Sequence, residues 1–300
     1  MERVFGIFMA VMLSAMLLTA TFNVRQTWAE PLGWSQTYGG IGSDSAYALV
    51  QTSDGGYALA GSTDSYGAGS DDFWLVKTDA NGTKLWDKIY GRTIFDFEYA
   101  YALVQTGDGG YAVAGDTYSH GTPDSHDFWL VKTDANGTKL WDKTYGGTNS
   151  DLAYALLQTD DGGYALAGYT YSFGAGSDDM WLVKTDANGN TLWNRAYGGT
   201  DSDSAFALLR TDDGGYALAG GTASFGAGSD DVWLIKTSLS LIEGDINVDG
   251  TVDIFDIVIV ALEFGHPPPP IIDTRADVNK DGVVDIFDIV VVAAHFGAHA

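Results

Sequence analysis

The chain has 300 residues, no cysteine, and 40 acidic against 15 basic side chains, a formal net charge of −25. The absence of thiols rules out disulfides and cysteine chemistry. A balance this acidic argues against binding nucleic acid or an anionic membrane surface, where Lys and Arg must neutralise phosphate, and it suits cations and extracellular solubility.

The first element is a short charged start, Met1-Glu2-Arg3, followed by the apolar run Val4 to Phe22 and then Thr27-Trp28-Ala29. This is the layout of a secretory signal, so residues 1–29 are set apart from the fold and the protein is expected to be secreted, extracellular or at the cell surface, with no membrane span after cleavage. The run is also just long enough to serve as an uncleaved anchor.

Residues 30–241 form a repeat array. Ala48 to Gly61 returns at Ala102, Ala155 and Ala207, and Asp72 to Gly82 returns at Asp127, Asp179 and, cut short, Asp231. Trp74, Trp129, Trp181 and Trp233 stand 55, 52 and 52 residues apart. A fixed period near 50 signals a propeller or an array. Each repeat predicts four strands. Leu49–Thr52 and Tyr57–Ala60 flank Asp54-Gly55-Gly56, and Phe73–Thr78 and Lys84–Tyr90 flank Asp79-Ala80-Asn81-Gly82. The fold class is mainly β, a four-bladed propeller of four-stranded blades. The segment Leu32 to Gly40 matches the last strand of a blade that has no beginning, and the fourth repeat lacks its last strand. The N-terminal strand is therefore expected to complete the C-terminal blade and close the ring, which removes exposed edges. The alternative is an open array that closes by dimerising into eight blades.

Residues repeated in every blade, including the Trp positions, Lys77 and the Asp71-Asp72 type pairs, are read as structural. Function is sought where the symmetry breaks, in the second repeat. Arg92, Asp96, Glu98, His120, Asp124 and His126 are the candidate ligand-binding set there, for a glycan, a peptide or a metal; drift of loops in a repeat array is the plainer alternative. The spacing of His120 and His126 matches no zinc signature. Asp64, Tyr118, Tyr171 and Ala223 follow the second strand of each repeat and are expected to line one rim. The sequons at Asn81 and Asn136 are read as hairpin turns, since Asn188-Gly189-Asn190 keeps the turn and loses the sequon.

Residues 242–300 carry two copies of one acidic pattern. Asp245, Asn247, Asp249, the Thr251 carbonyl, Asp253 and Asp256 present oxygens at the positions of an EF-hand calcium loop, and Asp277, Asn279, Asp281, the Val283 carbonyl, Asp285 and Asp288 repeat them. Gly250 and Gly282 take the sharp turn. Two bound Ca²⁺ are expected. A helix is expected to leave each loop, over Ile257–Phe264 and Ile289–Phe296, stopped by Gly265 and Gly297, and no amphipathic helix precedes either loop.

Loop plus exiting helix, twice, over Gly244 to Gly297, resembles the type I dockerin domain. The resemblance implies a cohesin-type protein partner and attachment of the remaining chain to an extracellular assembly. Loop positions 10 and 11, here Ile254-Phe255 and Ile286-Phe287, then become the partner-binding candidates, with packing between the two helices as the alternative. Ala261-Leu262 and Ala293-Ala294 stand where a cellulosomal dockerin has a basic pair, so a more apolar interface with a divergent cohesin is implied. Residues 32–237 resemble the SBBP-type β-propeller repeat, on D-G-G-Y-A-L-A-G and D-x-W-L-V-K-T-D-A-N-G-x-x-L-W, and the second run looks like the tryptophan-docking motif of quinoprotein propellers. The function expected is a secreted, non-catalytic binding protein. A polysaccharide-degrading glycoside hydrolase or lyase and a structural cell-surface component are the alternatives.

Overall fold

The computed structural model describes residues 33–67, 70–91, 97–237, 257, 278 and 286–297. The signal-like segment, Arg92, Asp96, Ile254, Phe255, the side chain of Ile286 and every calcium-loop ligand except Asp288 lie outside that set. The chain divides into two compact units, Met1–Ser35 and Gln36–Ala300, and the elements below belong to the second.

Each repeat forms one antiparallel sheet in simple up-and-down order. The first holds β1 (Asp44–Gln51), β2 (Tyr57–Thr63), β3 (Asp72–Thr78) and β4 (Lys84–Tyr90). The second holds β5 (Glu98–Gln105), β6 (Tyr111–Thr117), β7 (Asp127–Thr133) and β8 (Lys139–Tyr145). The third holds β9 (Asp151–Gln158), β10 (Tyr164–Thr170), β11 (Asp179–Thr185) and β12 (Thr191–Tyr197). The fourth has three strands, β13 (Asp203–Arg210), β14 (Tyr216–Thr222) and β15 (Asp231–Thr237). The first strand of each sheet begins earlier than the residue pattern predicts. A bulge at Tyr47, and at its counterparts, interrupts the alternation, so the pattern shows only the stretch after it.

The turns follow from their residues. The Asp54 side chain accepts from the Gly56 amide at 3.0 Å and the Thr52 hydroxyl at 2.5 Å. Gly55 supplies the φ of +83° that the tight turn needs. In the second hairpin, Asp79 Oδ1 accepts from the Asn81 and Thr83 amides, each at 2.8 Å, so the sequon there is a side-chain-braced turn. A buried lysine ties the two hairpins of a sheet together. Lys132 Nζ donates to Asp108 at 2.8 Å and to the Thr133 carbonyl at 2.8 Å, and Lys77 and Lys184 do the same in their sheets. The repeated tryptophans are core residues: Trp74, Trp129 and Trp181 donate from Nε1 to Asp87, Asp142 and Asn194 within their own sheets.

Sheets pack face to face in chain order, first on second, second on third, third on fourth, and the fourth and first share no packing of that extent. Phe73 and Leu75 of the first sheet enter a hollow of the second made by Val113, Trp129 and Val131. Tyrosine hydroxyls lock neighbours: Tyr90 donates to the Gly137 carbonyl at 2.7 Å and Tyr145 to the Gly189 carbonyl at 2.8 Å. The segment expected to complete the fourth sheet is not a strand of it. Its Tyr38 instead donates to the Gly82 carbonyl of the first sheet at 2.5 Å, the bond a fourth-strand tyrosine makes to the sheet that follows it.

In the C-terminal region the described helix is α1 (Ile286–Ala294), with Asp288 in its first turn. It starts three residues before the predicted Ile289, because the acidic first turn is itself a favourable helix start. Gly297, at φ +85°, stands where the stop was expected.

Candidate functional site

The four bulges put one aromatic ring from each first strand into line. Tyr47 and Tyr101 lie 5.2 Å apart between centroids, Tyr101 and Tyr154 4.9 Å, and Tyr154 and Phe206 5.3 Å. A bulge places an extra residue out of the alternation, and that re-aims these side chains toward their counterparts in the adjacent sheets.

Beside this ladder, the second and third sheets carry residues that the other two do not. The place held by Ser62 in the first sheet and Gly221 in the fourth is Asp116 in the second and Tyr169 in the third. Asp116 is fully buried, and its Oδ2 meets His126 Nδ1 at 2.6 Å. The Tyr118 ring packs on His126 at 5.3 Å, and the Tyr118 hydroxyl is 3.5 Å from Asp124. Asp124 is the one described non-glycine residue with positive φ, at 64°. Tyr99 stacks on Tyr101 at 6.0 Å and donates to Asp71 at 3.0 Å. Tyr154 packs on Tyr169 at 5.8 Å, and Tyr169 on the exposed Tyr171 at 5.7 Å. The result is an aromatic rim around the Asp116–His126 pair, buried on the carboxylate side.

Burial pushes the Asp116 carboxyl up, and its bond to the imidazole works against that. On His126 the same bond is the largest influence; it outweighs burial and raises the imidazole above its ordinary value. Burial raises the Tyr99 hydroxyl to about 12, helped by Asp71 and Asp116, so this rim tyrosine is a neutral donor at physiological pH.

The predicted set separates on inspection. His126 and Asp124 lie at the rim, alongside Tyr118. Glu98 is buried and accepts from Ser119 at 2.5 Å and Thr117 at 3.3 Å. Asp44, Asp151 and Asp203 hold the equivalent serines in the other sheets, so Glu98 is a framework residue. His120 stacks on Trp129 at 4.6 Å, where Tyr66, Phe173 and Phe225 stack on the tryptophans of their own sheets, and it is likewise framework. Asp64 is exposed and Ala223 half-buried at the corresponding loop positions. The residues missed by sequence reasoning are Asp116, Tyr99, Tyr101, Tyr154 and Tyr169. For Asp116 and Tyr169 a signal existed: the residue after the repeated A-L-A-G or A-V-A-G differs in all four copies.

In α1, Asp288 and Val292 are fully buried on one face, and Phe287 and Val290 are 63 and 56 % exposed on the other. Asp288, the last position of the second acidic pattern, sits buried in the first turn of α1, and a buried carboxylate there fits the last oxygen ligand of a calcium loop.

Residues 243–297 match the family model of the dockerin type I domain. Type I dockerins bind calcium, and the dockerin segment implies a cohesin partner of the kind found outside the cell or at its surface. No curated protein matches the chain. Among the described residues no helix is long and apolar enough to cross a membrane.

Proposed function

We propose that the protein is a secreted, non-catalytic binding protein in two parts, with residues 30–241 as the recognition domain and 242–300 as the attachment domain. The four sheets are read as blades of a β-propeller that is complete when segment 34–40 pairs along β15. The dockerin segment would hold two Ca²⁺ through Asp245, Asn247, Asp249, Thr251, Asp253 and Asp256, and through Asp277, Asn279, Asp281, Val283, Asp285 and Asp288. These are all oxygen donors, the chemistry a hard cation requires. Bound calcium would supply the charge that holds each loop closed and sets the helix after it. Ile254, Phe255, Ile286 and Phe287 would then face the cohesin-type partner, and the exposed Phe287 supports this reading.

The single observation that carries the recognition role is the rim: Tyr118, Tyr171 and Tyr99 around the Asp116–His126 pair. Aromatic faces with fixed polar groups suit stacking on a sugar ring or on a peptide side chain. Two experiments test the reading. Capture of a cohesin-type protein from the source's secreted fraction should succeed with calcium and fail with a chelator; capture that ignores the chelator counts against it. Binding to a polysaccharide panel should be lost in Tyr118→Ala with no sugar released by the parent protein. Sugar release that Asp116→Asn abolishes would make it an enzyme instead.

A further inference from the structure

The internal interfaces between sheets are built alike. Phe73 and Leu75 of β3, Phe128 and Leu130 of β7, and Met180 and Leu182 of β11 face the next sheet, and all six are fully buried. Val113, Trp129 and Val131 receive the first pair, and Leu166, Trp181 and Val183 the second. Phe73 meets Trp129, and Phe128 meets Trp181, at the same centroid distance of 4.7 Å.

Both halves of this interface occur once more, unjoined. In the fourth sheet Val232 and Leu234 hold the places of Phe73 and Leu75 and are 91 and 70 % exposed. In the first sheet Leu59, Trp74 and Val76 hold the receiving places; Trp74 and Val76 are themselves buried, and with Leu59 and Tyr38 they line a shallow recess. The aromatic ladder ends on the same two faces, in exposed Tyr47 and Phe206. Among the described residues the β15 edge has no fourth strand, while Tyr38 already occupies the place of a fourth-strand tyrosine against the first sheet. An exposed apolar pair such as Val232 and Leu234 marks an interaction site.

We propose that the two end faces bind each other between two copies of this chain, head to tail, closing a twofold ring of eight sheets. In that ring, segment 34–40 of each copy forms the fourth strand on the other copy's β15. The proposal rests on reading the sheets as propeller blades. The occupant follows from continuity: each end face is shaped for the other by the three interfaces already formed within the chain, and the chain's own first and fourth sheets do not share that packing. A head-to-tail interface closes into a ring when its rotation allows, and eight blades lie within the range propellers adopt. The register is fixed by the third sheet, where Lys184 pairs with Trp193 and Leu182 with Arg195. Placing Trp34 and Tyr38 on Trp193 and Tyr197 sets Gln36 opposite Leu234.

The test uses the full chain, which has no cysteine to interfere. Gln36→Cys with Leu234→Cys, oxidised gently and run without reductant, should give a covalent dimer. An intramolecular disulfide would overturn the second-copy proposal while leaving the blade reading standing. Absence of any disulfide would overturn both, and a ladder of higher species would overturn the closed ring. In parallel, sedimentation of the unaltered chain should show a dimer, and a monomer at all concentrations would sink the proposal. Val232→Asp with Leu234→Asp changes side chains already exposed within one copy, so its sheet circular dichroism should be unchanged while association weakens by about a hundredfold. Unchanged association in that variant would equally overturn the assignment.

Discussion

Lys132 shows how a single side chain carries two hairpins. Its buried ammonium joins Asp108 to the Thr133 carbonyl. Burial raises the Asp108 carboxyl, but the hydrogen bonds from Lys132, Thr106 and Gly110 outweigh it and hold the group down at about 2. Replacing Lys132 with Met leaves the carbonyl unpaired and should cost about 2 kcal/mol by urea unfolding at pH 7. Asp108 is depressed when folded, so its contribution is full above the ordinary carboxylate range and fades as pH falls toward about 2. The gap between parent and variant should therefore narrow below pH 4, and a gap independent of pH would count against the assignment. His126 has the opposite sign. Raised by Asp116, it adds stability that is full below the ordinary imidazole value and lost as pH rises through the folded one. With five histidines in the chain, the ring is resolvable by NMR. Its midpoint should lie above the ordinary value of about 6.5 and fall in Asp116→Asn. Of this pair, His126 was legible in the sequence because it breaks a repeated loop. Asp116 was marked only as a position that varies between repeats, and its role shows once its partner, ten residues on, is placed beside it.

At the scale of elements, the repeat made the strands legible and hid the bulge. The alternation of D-x-W-L-V-K-T gave β3, β7, β11 and β15 almost residue for residue. The first strands were read short, because Tyr47, Tyr101, Tyr154 and Phe206 fall out of phase at the bulge and so do not register as one face. The bulge makes its own demand on the next strand. A Cβ at Gly115 would lie 1.8 Å from the Tyr99 carbonyl oxygen, and one at Gly168 the same distance from that of Leu152. Gly115→Ala must push two strands apart, and we expect a loss of several kcal/mol, on the order of 3, or failure to fold. Gly107→Ala, which meets nothing within 4 Å, should be nearly neutral and serves as the control. Helix α1 was placed from its loop rather than from its own pattern, since an isoleucine- and valine-rich run reads equally well as a strand. In calorimetric titration the intact chain should take up two Ca²⁺, and Asp245→Ala with Asp277→Ala should take up none.

At the scale of the molecule, the main contacts between the described sheets run between sequence neighbours, so stability is close to a sum of sheets and of the interfaces joining them. The second and third sheets each pack against two other sheets, and the first and fourth against one. Amide hydrogen exchange on protein held as a single copy by Val232→Asp with Leu234→Asp should be slowest in β6, β7, β10 and β11 and fastest in β1 and β15. Uniform protection across all four sheets would contradict nearest-neighbour stability. The number of blades in the proposed ring was the least legible feature of the chain. Four repeats and a displaced strand state that an end must be completed, but the residues that would complete it are alike in every copy, and likeness does not say whose they are.

The ladder of bulged aromatics has an optical consequence. Rings 4.9–5.3 Å apart and tilted by 43–57° have coupled transition dipoles, so light absorbed by one is shared along the row, and the handed arrangement of the row gives a paired band in circular dichroism. The sheets thus carry a built-in chromophore whose length counts them. Melting an end shortens the row and joining two ends lengthens it, and either event should be visible in the spectrum without a label.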